Sequence, residues 1–222
     1  MDKFNYQILN NHIIINISNK QFLLDTGSPT SFWTYEPINK IQINKKDYHL
    51  TPKPVSVNLR EVEKLVGIKV DGFIGLDIIR DTSLTIYKNG EIKFGVDSIN
   101  GTSTKLFSNG YLSIQVGSNL IVGKMLLDTG AKYGYGIKSL FYNQKSFARV
   151  NDYNPQLGNL ESDIYHLNIV IGGANKVIDV CDNDIVSFNY LKSTNSILVA
   201  NITSLFDEVC VIDISNGLFI FK

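Results

Sequence analysis

The chain has only two cysteines and three histidines, and it has no net charge and no long apolar run. Each shortage removes a class of function. With 21 basic residues balanced by 21 acidic ones, there is no electrostatic footprint for nucleic acid or for an anionic membrane surface. No apolar stretch approaches the length needed to span a bilayer. The N-terminal segment Met1-Asp2-Lys3-Phe4-Asn5-Tyr6 lacks a basic region followed by a long apolar one, so no secretory signal is read. Cys181 and Cys210 both lie in the second half, and pairing between them is left open. Two cysteines without a signal fit buried reduced thiols and a cytoplasmic setting. His12, His49 and His166 show no metal-ligand spacing and neither cysteine has a CxxC partner, so no metal and no cofactor is expected. No GxSxG motif occurs. Gly172-Gly173-Ala174 is not followed by a GK[ST] sequence, so it is not a phosphate loop.

What remains is an alternation of short Ile, Val, Leu, Phe and Tyr segments with Asn, Gly, Asp and Lys, which predicts mostly β structure. The apolar fraction of 44% supports a real core. One pentapeptide, Leu-Leu-Asp-Thr-Gly, occurs twice, at Leu23–Gly27 and Leu126–Gly130. Each copy follows an alternating stretch, Ile13–Ile17 or Leu112–Val116. Each half closes on a similar segment, Leu84–Phe94 or Val209–Phe219, and the Asn-Gly pair in each predicts a two-residue hairpin turn. The reading is a duplicated unit with a seam near Ser98–Ser108, where Ser, Asn, Gly and Thr cluster. The halves are residues 1–98 and 99–222. Further hairpins are predicted at His166–Val180 and, as its first-half counterpart, Ile41–Leu50. A helix is predicted at Leu59–Val66, ended by Gly67. Ser139–Ser146 and Ile185–Lys192 are weaker helix candidates.

The repeat places two identical carboxylates, Asp25 and Asp128, at the ends of apolar strands. If a pseudo-twofold axis relates the halves, the two loops meet there and the carboxylates face each other. Two such groups cannot both ionise at contact distance, so they share a proton. One then serves as general base on a water while its protonated partner polarises a carbonyl, which suffices for amide hydrolysis without metal or covalent intermediate. A single Asp-Thr-Gly is ordinary turn chemistry. The weight rests on two copies in matching settings.

With these motifs the chain resembles the aspartic peptidases of the pepsin and retropepsin type. The resemblance covers most of the first half and the framework of the second. It implies an all-β, bilobal fold, two pseudo-twofold-related barrels with an active-site cleft between them. It implies Asp25 and Asp128 as the catalytic dyad, Thr26 and Thr129 as a reciprocal grip between lobes, and Gly27 and Gly130 lining the site. The family's apolar-apolar-Gly element is matched by Phe73-Ile74-Gly75, after Asp71-Gly72. In the second half Leu198-Val199-Ala200-Asn201-Ile202 is its counterpart, read with Ala200 in place of the Gly.

Other positions depart from the family pattern. Ser28 is expected to hydrogen-bond the outer oxygen of Asp25, whereas Ala131 cannot do so for Asp128. A lost hydrogen bond disfavours the charged carboxylate, so the expected pH optimum is less acidic than pepsin's, about pH 5–7. Phe32 stands where pepsin-type enzymes carry a Trp, with Trp33 next. The hairpin at Ile41–Leu50 is the positional candidate for a flap, with Tyr48 as its tyrosine. The turn at Gly172-Gly173 is a candidate second flap or an ordinary strand pair. Tyr133, in Tyr133-Gly134-Tyr135-Gly136, is a candidate subsite residue, as are Phe32 and Tyr48. For a chain starting at Met1, Asp25 lies too near the start for a prosegment. The expected partner is a peptide or protein substrate of narrow specificity. No second copy is needed, so a monomer is expected. The alternative is a peptide-binding module of the same fold, catalytically silent or latent.

Overall fold

The computed structural model describes every residue except 119–120, 155–156, 187–188 and 190. The first half contains β1 (Lys3–Leu9), β2 (His12–Ile17), β3 (Lys20–Leu24), β4 (Phe32–Trp33), β5 (Lys40–Ile43), β6 (Lys46–His49), β7 (Thr51–Pro52), α1 (Leu59–Val66), β8 (Gly72–Ile74), α2 (Leu76–Thr82), β9 (Leu84–Tyr87) and β10 (Glu91–Lys93). The second half contains β11 (Thr102–Phe107), β12 (Ser113–Gly117), β13 (Val122–Leu127), β14 (Gly134–Gly136), β15 (Ala148–Asn154), β16 (Gly158–Ile171), β17 (Ala174–Asp182), the short α3 (Asp184–Val186), β18 (Leu198–Ala200), β19 (Val209–Asp213) and β20 (Leu218–Phe221).

One antiparallel sheet joins the halves, in the order β1-β10-β9-β19-β20-β11. Its centre is the β9–β19 pair, where Leu84 lies opposite Ile212 and Tyr87 opposite Val209. Ile86, Ile92, Cys210, Ile212, Phe219 and Phe221 from this sheet are buried against the β2–β3 and β12–β13 hairpins. Burying each such Ile, Leu or Phe contributes about 1.5–3 kcal/mol. Cys181 and Cys210 are both buried free thiols.

The local readings hold where the signal is local. Helix α1 coincides with its predicted span, its first turn capped by the Asn58 side chain, which accepts from the Arg60 N–H, and its end closed by Gly67. The two Asn-Gly segments do form hairpins, but their loops are Lys88–Gly90 and Ile214–Gly217, longer than two residues. The Ser139–Ser146 candidate is reduced to a 3-10 turn at Lys138–Phe141. The Ile185–Lys192 candidate starts within α3 and is again helical at Asn189 and Leu191, while residues 187–188 and 190 lie outside the described residues. The seam read at Ser98–Ser108 is mostly a strand. Its Thr-rich segment pairs as β11 with β20 at the sheet edge, where β-branched threonines fit a pleated, half-exposed surface.

Each half threads its Asp-Thr-Gly loop through the same frame. In the first, β3 runs parallel to β8 and β8 antiparallel to β4, with Leu23 and Phe32 both opposite Phe73. In the second, β13 runs parallel to β18 and β18 antiparallel to β14, with Leu126 and Tyr135 both opposite Val199. These registers make Leu23, Phe32 and Phe73 the counterparts of Leu126, Tyr135 and Val199.

Candidate active site

The frame delivers each loop to the axis. The Asp25 N–H donates to the Ile74 carbonyl and the Asp128 N–H to the Ala200 carbonyl, both at 2.9 Å. The loops then interlock through their threonines, which are wholly buried. The Thr26 N–H donates to Thr129 Oγ1 at 3.0 Å and the Thr129 N–H to Thr26 Oγ1 at 2.9 Å. Each hydroxyl donates onward to the opposite half, Thr26 to the Leu127 carbonyl and Thr129 to the Leu24 carbonyl, both at 2.7 Å. Only a side chain that donates and accepts at once can close this circuit.

The grip sets the carboxylates side by side. Gly27 and Ser28 donate their backbone N–H groups to Asp25 Oδ1 at 2.9 and 3.0 Å, and Gly130 donates to Asp128 Oδ1 at 2.8 Å. The glycines are required by contact. A Cβ on Gly27 would lie 2.5 Å from an Asp128 carboxylate oxygen, and one on Gly130 would lie 2.4 Å from an Asp25 oxygen. Burial pushes the Asp25 carboxyl above the usual carboxylate range, and the charge of Asp128 pushes it further. Burial raises Asp128 as well, opposed by backbone N–H groups and by a hydrogen bond from Asp25. Both carboxyls are thus biased toward the protonated form, the condition for a pair that shares one proton.

The structure corrects several expectations drawn from the sequence. Ser28 does not use its hydroxyl on Asp25; that group donates to the Thr30 carbonyl at 2.9 Å, and only the backbone N–H reaches the carboxylate. The residue equivalent to Gly75 is Asn201, not Ala200. Register aligns Ala200 with Ile74, since Leu24 pairs with Ile74 and Leu127 with Ala200. Gly75 has backbone on top of it, with the Thr30 carbonyl oxygen 2.7 Å from a would-be Cβ. Asn201 keeps the second loop tight by a different device. Its Nδ2 donates to the carbonyls of Ala131 and Asn11, both at 2.6 Å, tying the loop to the β1–β2 turn of the first half. Asn201→Ala removes both bonds from part-buried carbonyls, so urea unfolding should show a loss of about 1–2 kcal/mol.

The three subsite candidates are scattered. Phe32 is 2% exposed and stacks on Phe73 with ring centroids 4.4 Å apart, so it presents no surface to a ligand. Tyr48 is directed away from the carboxylates. Its hydroxyl bonds to Asp81 on α2, which also pairs with Lys46 at 2.6 Å. The hairpin tip is anchored by Asn44, which donates to the Phe94 carbonyl at 2.7 Å and exchanges bonds with Asp2. This hairpin therefore folds under the first half and is not a flap. The Gly172-Gly173 turn is its counterpart. Both are tight turns with two consecutive left-handed residues, φ 53° and 64° at Asn44 and Lys45, 56° and 88° at Gly172 and Gly173. The Gly172 turn packs on Ser103 of β11, also away from the carboxylates. Tyr133 is partly exposed at a cavity of about 360 Å³ between the halves, with Asn11, Lys132, Asp179 and Asn201.

One residue that the sequence did not single out, Asp152, stands beside this region. Asp152 and Tyr135 are buried and joined by a 2.6 Å hydrogen bond from the phenol. His12 is wholly buried beside the Gly130 backbone, with burial pushing its pKa down and the Asp152 charge opposing that.

Against known structures, the chain is similar to the aspartic proteinase from Irpex lacteus, with a TM-score of 0.58 at 13% identity, covering 98% of this chain and 96% of that one. A smaller match is the simian foamy virus protease, TM-score 0.32 at 12% identity, over 42% of this chain and 90% of that one. No protein-family profile matches the sequence, and no curated protein does. The fold is thus the all-β, two-lobed fold of a pepsin-like aspartic proteinase.

Proposed function

We propose that the protein is an aspartic endopeptidase of narrow specificity, with lobes 1–98 and 99–222, acting on an extended peptide in the cleft between them. The observation that carries this reading is the apposition of Asp25 and Asp128 at the two Asp-Thr-Gly loops, held by the reciprocal threonine bonds. Asp128, charged, takes a proton from a water whose oxygen attacks the scissile carbonyl carbon. Asp25 gives its proton to the carbonyl oxygen, forming a neutral gem-diol. Asp128 then passes its proton to the amide nitrogen as the C–N bond breaks, and Asp25 recovers a proton from one diol hydroxyl. The starting protonation state is restored. Main-chain pairing along an extended substrate supplies affinity and side-chain pockets supply choice. The chain as a monomer in the cytoplasm is the setting this reading assumes.

The test is cleavage of a diverse peptide library by the wild-type chain and by Asp128→Asn across about pH 3–8, a span that brackets a shared-proton pair. The Ser28 hydroxyl is engaged elsewhere and Ala131 has none, so neither outer oxygen is stabilised by one. The expected optimum is about pH 5–7. A peak near pH 2–3 contradicts the electrostatic account, and equal cleavage by the Asn variant contradicts the dyad. Peptide binding without turnover would transfer the protein to the binding-module reading.

A further inference from the structure

The second half lacks a lock that the first half has. Ser31 precedes Phe32 as Gly134 precedes its counterpart Tyr135, and Asp77 follows Gly75 by the same step as Thr203 follows Asn201. In the first half these positions cross-link the loop after β3 to α2. The Ser31 N–H donates to Asp77 Oδ2 at 3.0 Å and its hydroxyl donates to Asp77 Oδ1 at 2.6 Å, while that hydroxyl accepts from the Gly75 N–H at 2.8 Å. In the second half Gly134 has no side chain to donate. The Thr203 hydroxyl turns back onto its own loop, donating to Asn201 Oδ1 at 2.8 Å. The helix is shorter too, since α2 spans Leu76–Thr82 and its counterpart is a 3-10 turn at Ile202–Ser204. Space is left where the carboxylate would stand. Gly134 and Thr203 both line the cavity of about 360 Å³ between the halves.

The charge around this space is lopsided. Lys88 and Lys132 both line it, and among the described residues neither pairs with a carboxylate. Lys88 Nζ donates to the carbonyls of Thr203 at 3.0 Å and Phe206 at 3.4 Å, and Lys132 Nζ lies 5.1 Å from the centre of the Tyr133 ring. An ammonium has three donors, so Lys88 keeps one to offer. The carboxylates nearby are committed elsewhere. Asp179, on the cavity wall, is bonded to His166 Nδ1, and Asp207, within reach of the Lys88 charge, is bonded to Lys176 Nζ, both at 2.7 Å. Asn11 and the buried Asn201 complete a polar wall. Two cations without a carboxylate thus converge on a space that a carboxylate fills in the first half.

We propose that this cavity binds a small oxyanion, a carboxylate or phosphate group held by Lys88 and Lys132 at the place Asp77 takes in the first half. The volume lies at the small end of ligand pockets. Occupancy has a structural consequence. Asn201 forms part of the wall and ties the Ala131 and Asn11 carbonyls, so an anion there braces the junction between the halves beside the Asp128 loop. The site is separate from the chemistry proposed for Asp25 and Asp128, and its test reads binding, not turnover.

The experiment is thermal unfolding of the full chain at neutral pH, titrated with inorganic phosphate or with succinate, the ionic strength held constant with sodium chloride. The melting temperature should rise saturably with one anion or both, by at least about 2 °C near saturation. A response to phosphate alone assigns a phosphate ligand and a response to succinate alone a carboxylate one, and either supports the site. Two variants at exposed or half-buried positions locate it. Lys88→Met with Lys132→Met should weaken the affinity at least about tenfold by isothermal titration calorimetry. Thr203→Asp supplies the carboxylate from within and should abolish the response. No saturable rise with either anion, or a full response kept by either variant, overturns the site.

Discussion

Replacing Asp25 by Asn is expected to abolish peptide cleavage and yet to raise the melting temperature at neutral pH. The loss of activity follows from the proposed roles. Removing the acid of an acid–base pair sacrifices at least about 10²–10⁴-fold in rate. The gain in stability follows from the position of the proton. In the unfolded chain the Asp25 carboxyl ionises near its ordinary value of about 3.9. In the folded protein, burial and the neighbouring Asp128 hold its pKa well above that. Folding therefore takes up a proton between the two values. The contribution to stability is full below the unfolded pKa and is lost as pH rises toward the folded one. The Asn side chain is neutral throughout and can still donate to Asp128. The variant should match the wild type near pH 3–4 and exceed it increasingly toward pH 7. Thermal unfolding of both proteins at several pH values checks this. A variant less stable than the wild type at pH 7 would count against a shared proton.

The second large effect is at the threonine grip. Thr26→Val keeps the shape and removes the hydroxyl. The Thr129 N–H loses its acceptor and the Leu127 carbonyl loses its donor, both within the dry centre of the molecule. Each unpaired buried group costs about 1–3 kcal/mol, so the expected destabilisation is about 2–5 kcal/mol by urea unfolding. Thr26→Ser retains the hydroxyl and should recover most of it. A change below about 1 kcal/mol for Val would mean that water or relaxation satisfies the freed groups. Activity should fall with stability here, because the same four bonds hold the carboxylates in register.

What was legible in the sequence was the part written locally. The Leu-Leu-Asp-Thr-Gly repeat marked both carboxylates, and the capped, three-and-four-spaced segment at Leu59–Val66 marked α1. The relation between the Ile41–Leu50 and Gly172 hairpins was also readable, because both alternate and both turn tightly. Their role was not, since a hairpin's direction depends on partners far along the chain, here Asp2, Asp81 and Phe94 for one and Ser103 for the other. Asn201 was misplaced by one residue because a parallel strand pair fixes that register and no local pattern does. Strand β15 and the start of β16 escaped notice for a compositional reason. Ala148–Asn154 and Gly158–Asp163 are rich in Asn, Asp, Glu and Ser, and even their buried face carries Asp152 and Ser162, so they read as loop.

The joining sheet carries a consequence for how the chain is made. Strand β9 has β10 on one side and needs β19, residues 209–213, on the other. As the polypeptide leaves the ribosome, the first half can assemble its own frame early, but the Leu84–Tyr87 edge stays open until residues 209–213 have emerged. An open apolar edge invites pairing with another nascent chain. Slow translation of the second half, or truncation before Val209, should therefore yield aggregates of an otherwise competent first half.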